Sequence, residues 1–107
     1  MRFMLLLYPR GEGEAGAGAA MLKYNEVLTQ SGVLLAWNGL KATSHGVRVR
    51  QLAGQRSLDE GPFEPSPVPV GGYWMLAVRS RSEALAWAAR CPLGEGDMLE
   101  LREVSED

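Results

Sequence analysis

Among the 107 residues there is one histidine, His45, the side chain whose ordinary pKa lies nearest neutrality. It stands between Lys41 and Arg48, just ahead of an alternating segment. A base in that position needs a carboxylate to fix its tautomer and hold its ring. Asp59, Glu60 and Glu64 are the candidates, because a hairpin after Leu52 would return the chain toward its own start. Arg48 and Arg50 sit two residues apart in an extended run, so their guanidiniums project from one face about 7 Å apart and could clamp an anion. With two aromatic rings added, His45, Arg48, Glu60, Phe63 and Tyr73 are the expected lining of a small-molecule site, offering an anion or carbonyl contact and a proton carrier. Plainer roles compete with this one. His45 would also suit an exposed turn, and the arginines would suit the wet face of an edge strand, where charge discourages aggregation.

Other constellations carry less. Gly11-x-Gly13-x-x-Gly16 has the spacing of a dinucleotide fingerprint, but Glu12 and Glu14 would face the pyrophosphate and no acidic residue follows the next strand to hold a ribose. A linker is the expected reading, and no cofactor is implied. Cys91 falls on the apolar stripe of a helix with no histidine nearby, which suits a packed thiol better than a nucleophile. Trp37, Trp74 and Trp87 each belong to a packed element and read as core or interface. One histidine and one cysteine without paired spacing leave no metal site to expect.

Composition narrows the class. With 46% apolar and 22% charged residues the chain is globular, and its length suits one domain over residues 1–107. A formal charge of -2 provides no basic field for nucleic acid. The longest apolar runs fall far short of the ~20 residues a membrane helix needs, and the chain opens on a strand-like run, so a cytoplasmic protein is expected.

The elements that must position these groups follow from periodicity. Arg2 to Tyr8 and Tyr73 to Arg79 are apolar on both faces, the mark of central strands. Between them, a helical stripe of Ala17, Ala20, Met21, Tyr24, Val27 and Leu28 leaves Lys23, Asn25 and Glu26 largely outside and stops at Ser31-Gly32. Val33 to Trp37 is a strand. Gly46 to Leu52 sets Val47 and Val49 against Arg48 and Arg50, one buried face and one wet, and returns after Gly54 through Gln55 to Leu58. A loop with Pro62, Pro65, Pro67 and Pro69 is expected from Asp59 to Gly72 and reads as a rigid rim. Ser80 and Glu83 form a capping box opening a helix with Ala84, Leu85, Ala88 and Cys91 on its stripe. Met98 to Val104 is a half-buried edge strand, followed by a frayed tail.

The order is β, α, β, hairpin, β, α, β, which a split βαβ sheet accommodates with both helices on one face. An α+β, ferredoxin-like βαββαβ fold with a hairpin insertion is therefore expected. Its helix-free face would expose large apolar groups from both central strands, so a homodimer closing into a dimeric α/β barrel is expected as well.

The opening RFMLLLY, the segment LKATSHGVRVR, Glu60 to Phe63 as EGPF, the GGYWMLAV strand and the SEALAWAARCP helix, in this order, resemble the DGPF branch of the YCII-related family. The resemblance spans nearly the whole chain and implies the same dimeric ferredoxin-like barrel. It also implies a setting beside extracytoplasmic-function sigma factors, hence a regulatory or ligand-binding module in place of a catalyst. Two departures stand out. Glu60 replaces the Asp that opens the family's box, and Glu64-Pro65-Ser66-Pro67-Val68 replaces its charged second half. The His and Asp pair of another branch has no counterpart here, since His45 lies in the insertion, so no catalytic residue is carried over. The alternative reading is a small-molecule enzyme with acid/base chemistry in the barrel cavity.

Overall fold

The computed structural model describes residues 1–10, 18–61 and 70–106. Six strands and two helices follow in the order β1 (Arg2–Tyr8), α1 (Ala19–Gln30), β2 (Leu34–Gly39), β3 (Val47–Leu52), β4 (Gln55–Glu60), β5 (Gly72–Ala77), α2 (Arg81–Ala89) and β6 (Met98–Glu103). A 3-10 turn at Thr43–His45 joins β2 to β3. The main sheet has the order β2-β5-β1-β6 with all neighbours antiparallel, and β3 and β4 form a separate two-stranded hairpin. This is the strand order of a split βαβ unit. The two strands apolar on both faces are the central pair.

Alternation decides which side of the sheet meets the helices. Phe3, Leu5 and Leu7 of β1 and Trp74 and Leu76 of β5 are buried on one face, packed with Met21, Tyr24 and Leu28 of α1 and Ala84 of α2. The register pairs Leu5 with Trp74 and Phe3 with Leu76 across that face. The helices are stitched to each other and to the sheet by three aromatic groups. The Tyr24 hydroxyl donates to the Trp87 carbonyl at 2.8 Å, and the Tyr24 ring meets Trp74 edge-on at 6.0 Å. Trp74 Nε1 donates to Asn25 Oδ1 at 2.6 Å.

The helix ends obey their local chemistry. At the end of α1, Gly32 takes a φ of +75° and donates to the Thr29 carbonyl while Val33 donates to Leu28, the left-handed close that glycine permits. The Ser80 hydroxyl accepts from the Glu83 amide at 3.1 Å, while the Glu83 carboxylate accepts from the amide of Arg79. Ser80→Ala should therefore lower stability by roughly 0.5–2 kcal/mol, read as a reduced urea midpoint. An unchanged midpoint would show that another group takes over the amide.

Several expectations need correction. Asn25 is buried, although the spacing placed it off the stripe, and Leu85 is exposed while Trp87 packs against the core in its place. The α2 stripe is thus Ala84, Trp87, Ala88 and Cys91, spaced three and four residues apart. β4 runs on to Glu60, since Arg48 pairs with Asp59 and Val47 with Glu60 before the first proline interrupts. The tail is tied down as far as Glu106: Val104 donates to the Arg2 carbonyl, and Arg2 Nε meets Glu106 Oε1 at 2.7 Å.

The largest correction concerns the hairpin. Val47 and Val49 are 53% and 58% exposed, not buried, because neither β3 nor β4 packs substantially against the main sheet or the helices among the described residues. The hairpin is an arm. Its turn, Ala53-Gly54, has both residues at positive φ, the twist that a two-residue hairpin needs. Its base is closed by the Gly61 amide donating to the Gly46 carbonyl at 3.1 Å. Gly61 cannot be larger without displacing backbone, since a Cβ there would lie 3.0 Å from the carbonyl oxygens of Thr43 and Ser44. The glycine-rich segment 11–17, expected as a linker, and the proline run at 62–69, Phe63 included, lie outside the described residues.

Candidate functional site

The helix-free face of the sheet carries an ordered row of side chains at one end. The register pairs Asn38 with Tyr73, Tyr73 with Leu6, and Leu6 with Glu100, so these four residues cross the sheet in line from β2 to β6. Paired residues of antiparallel strands share a face, so all four point away from the helices. Tyr8 and Met98 form the next pair toward the sheet end, on the same face. Behind the row, away from that end, lie Ala36, Met75, Met4 and Arg102, again in register.

Two hydrogen bonds order the polar groups. The Tyr8 hydroxyl donates to Glu100 Oε1 at 2.9 Å, and Asn38 Nδ2 donates to the Tyr73 hydroxyl oxygen at 3.3 Å. The bond to Glu100 holds the Tyr8 hydroxyl above its usual range, with burial adding to the effect. Tyr8 therefore keeps its proton and acts as a fixed donor. Tyr73 accepts from Asn38 and retains its own O–H to donate. The row thus presents the second carboxylate oxygen of Glu100, the Tyr73 O–H and the Asn38 amide oxygen above the apolar floor of Leu6. Such a set suits a ligand with an apolar body and amine or hydroxyl donors.

The residues singled out by spacing fall in different places. Tyr73 belongs to the row. His45 is exposed at the end of the 3-10 turn and makes no contact with a carboxylate among the described residues. Arg48 is half-buried and pairs with Asp59, whereas Glu60 pairs with Val47, so Arg48 and Glu60 point to opposite faces of the arm. Arg48 and Arg50 do share a face, with Asp59 on it as well. Arg50 Nε lies 3.7 Å from Asp59 Oδ2, which offsets part of the cationic clamp. Phe63 lies outside the described residues.

Sequence reasoning misses Tyr8, Asn38 and Glu100. Alternation sets Glu100 with Arg102 on a wet face, and its half-buried state follows from Tyr8 and Leu6 beside it on β1. A tyrosine closing an otherwise aliphatic strand is the available signal.

Other features among the described residues add no reactive group to the row. Shallow grooves of about 340 Å³ beside Val33, Val78 and Glu83 and about 270 Å³ beside Lys23, Tyr24 and Arg90 lie away from the row. Burial pushes the Cys91 thiol up to about 11, as expected of a packed and unreactive cysteine. Among the described residues no cluster of ligating side chains could hold a metal, and no helix is long and apolar enough to cross a membrane.

Fold and site together define a small α+β domain whose four-stranded sheet is covered by helices on one face and carries a half-buried polar row on the other. The chain belongs to the YCII-related domain family, whose model matches residues 1–106. No functionally curated protein matches it.

Proposed function

We propose that this YCII-related protein is a homodimeric, non-catalytic ligand-binding module of the DGPF branch, regulatory in role and linked to transcription. In this reading two helix-free faces close over each other into a barrel. The observation that carries it is the row Asn38, Tyr73, Leu6 and Glu100 with Tyr8 above it, half-buried for the most part in one chain and on the face that a second sheet would enclose.

The groups in the row are those of a binding site. Tyr8 is committed to Glu100 and Tyr73 to Asn38, and no described histidine or cysteine reaches them. The arm and the 3-10 turn attach at the same end of the sheet as Gly71, so in this reading His45 and Arg48 belong to the rim of the mouth and Tyr73 to its wall. The enzyme reading would need a free proton carrier in the row, and Glu100 Oε1 is already occupied by the Tyr8 hydroxyl.

Native mass spectrometry of the protein as purified should show a dimer carrying small molecules. Tyr8→Phe and Glu100→Gln should each weaken retention of that molecule at least ~10-fold, the scale of one lost hydrogen bond to a charged group. His45→Ala tests the rim: a comparable loss extends the site to the 3-10 turn, and full retention confines it to the sheet. Conversion of the bound molecule to another mass during incubation would favour the enzyme.

A further inference from the structure

We infer that the sheet face takes an amino acid in its zwitterionic form, with the ammonium on Glu100, the carboxylate on Arg102 and an apolar side chain over Leu6 and Met4. The inference rests on the ligand-binding reading proposed above and names the chemical class that the site accepts.

Strand alternation puts three charged side chains on the helix-free face of the main sheet, Arg2 on β1 and Glu100 and Arg102 on β6. β2 and β5 add none, since their residues on that face are Ala36, Asn38, Tyr73, Met75 and Ala77. Arg2 is already paired, its Nε 2.7 Å from Glu106 Oε1. Arg102 makes no ion pair or hydrogen bond among the described residues. Glu100 and Arg102 are thus a separated pair of opposite charges, with backbones about 7 Å apart along one strand face.

Side chains of that length can close such a gap, and here they do not. The Tyr8 hydroxyl, one row nearer the sheet end, holds Glu100 Oε1 at 2.9 Å on the side away from Arg102. Arg102 is still near enough for its charge to pull the Tyr8 hydroxyl down, against the larger upward effect of Glu100.

An ammonium and a carboxylate on adjacent carbons fit between them. The free oxygen of Glu100 accepts from the ammonium, and the Arg102 guanidinium donates to the carboxylate as a two-pronged fork. A charge-assisted hydrogen bond of about 2.8 Å on either side accounts for most of the spacing. The side chain of the same molecule then lies over Leu6 and Met4, both half-buried, with Tyr73 and Met75 beyond them on β5. A second sheet closed over this face would enclose Arg102, and an enclosed charge without a partner is costly. The ligand carboxylate supplies that partner. An amine without a carboxylate leaves Arg102 unanswered, and an acid without an amine leaves the second oxygen of Glu100 unanswered.

The test is native mass spectrometry of the whole chain, dialysed and then offered an equimolar mixture of the twenty common L-amino acids, followed by calorimetric titration with the one most strongly retained. That one should carry an apolar side chain. The amine that lacks its carboxylate and the acid that lacks its amine should each bind at least ~10-fold more weakly. Crossed substitutions assign the charges: Arg102→Gln should bring the amino acid and the amine to within ~3-fold of each other, and Glu100→Gln should do so for the amino acid and the acid. Both variants should keep the fold, since Arg102 is exposed and a glutamine at the other position still accepts from Tyr8. Equal binding of amine and amino acid by the wild type, or a preference that Arg102→Gln leaves intact, would overturn the inference. So would a ligand-free dimer whose Kd rises with Arg102→Gln, which would give Arg102 to the partner's Glu100. A co-purified molecule that is lost in Tyr8→Phe and displaced by none of the twenty would overturn the ligand class and leave the binding face standing. No co-purified molecule and no retained amino acid would overturn both.

Discussion

Met75→Glu is expected to turn the proposed dimer into monomers or aggregates at micromolar concentration. Met75 sits on the central strand β5, on the helix-free face, in register with Met4 on β1 and Ala36 on β2. In the single chain it is only half-buried, so a glutamate there can reach water and the monomer should still fold. Between two sheets the same carboxylate loses its water, and Met4 separates it from Arg102, the one cation in its row. An unpaired buried charge costs about 3–5 kcal/mol, and two-fold symmetry imposes the cost twice, so the dimer Kd should rise by roughly 10⁴-fold or more. Light scattering with circular dichroism separates the outcomes: retained secondary structure with halved mass supports the face-to-face dimer. A Met75→Glu protein that stays dimeric, or a wild type that is monomeric, would remove it.

The second large effect belongs to the core. Asn25 is 5% exposed, its Oδ1 accepts from Trp74 Nε1 at 2.6 Å, and its Nδ2 finds no partner among the described residues. Asn25→Asp preserves the shape and the acceptor but places an ionisable group in the enclosed contact with Trp74. Burial raises the pKa of such a carboxyl in the folded state above its unfolded value, so the folded state holds the proton more tightly. Stability is then retained below the unfolded pKa of ~4 and falls as pH rises through the interval up to the folded value. The variant should match the wild type at pH 3.5 within ~1 kcal/mol and lose about 3–5 kcal/mol at pH 7, read from urea unfolding at the two pH values. A loss independent of pH would mean that the introduced carboxylate is solvated by rearrangement and that the Trp74 contact is not enclosed.

Asn25 also shows where pattern reading ends. Its polarity argues for the solvent face of α1, but its position, four residues after Met21 and three before Leu28, lies on the buried one. Periodicity alone identifies the stripe. What overrides side-chain type is a partner 49 positions away, the Trp74 indole N–H, which must be satisfied once β5 is central. The exchange of Leu85 for Trp87 on α2 has a similar origin, since Tyr24 ends its hydroxyl on the Trp87 carbonyl and so sets which side of α2 faces α1.

The candidate site is legible only in part. Tyr73 is recognisable, and the Ser80 cap and the central placement of β1 and β5 follow from local rules that the structure obeys. His45, Arg48 and Glu60 group together because they are near in sequence, but a hairpin sends alternate residues to opposite faces and Glu60 pairs with Val47, not with Arg48. The alternation of Val47 and Val49 with Arg48 and Arg50 is real, and it makes one face of the arm apolar. Alternation says which residues share a face; it does not say what covers it, and within one chain nothing substantial does among the described residues.

From its sequence alone, then, this protein's elements, their order, the central placement of β1 and β5 and the cap of α2 were determined, because those depend on periodicity and on groups within a few residues of each other. The row that crosses four strands was not. Asn38, Tyr73, Leu6 and Glu100 are brought into line by strand register across separations of up to 94 positions, and the bulge between Leu34 and Ala36 sets which side of β2 Asn38 takes. Register is fixed by how the core packs as a whole, and a slip of one residue would send every side chain to the other face. Only the tertiary structure could decide it.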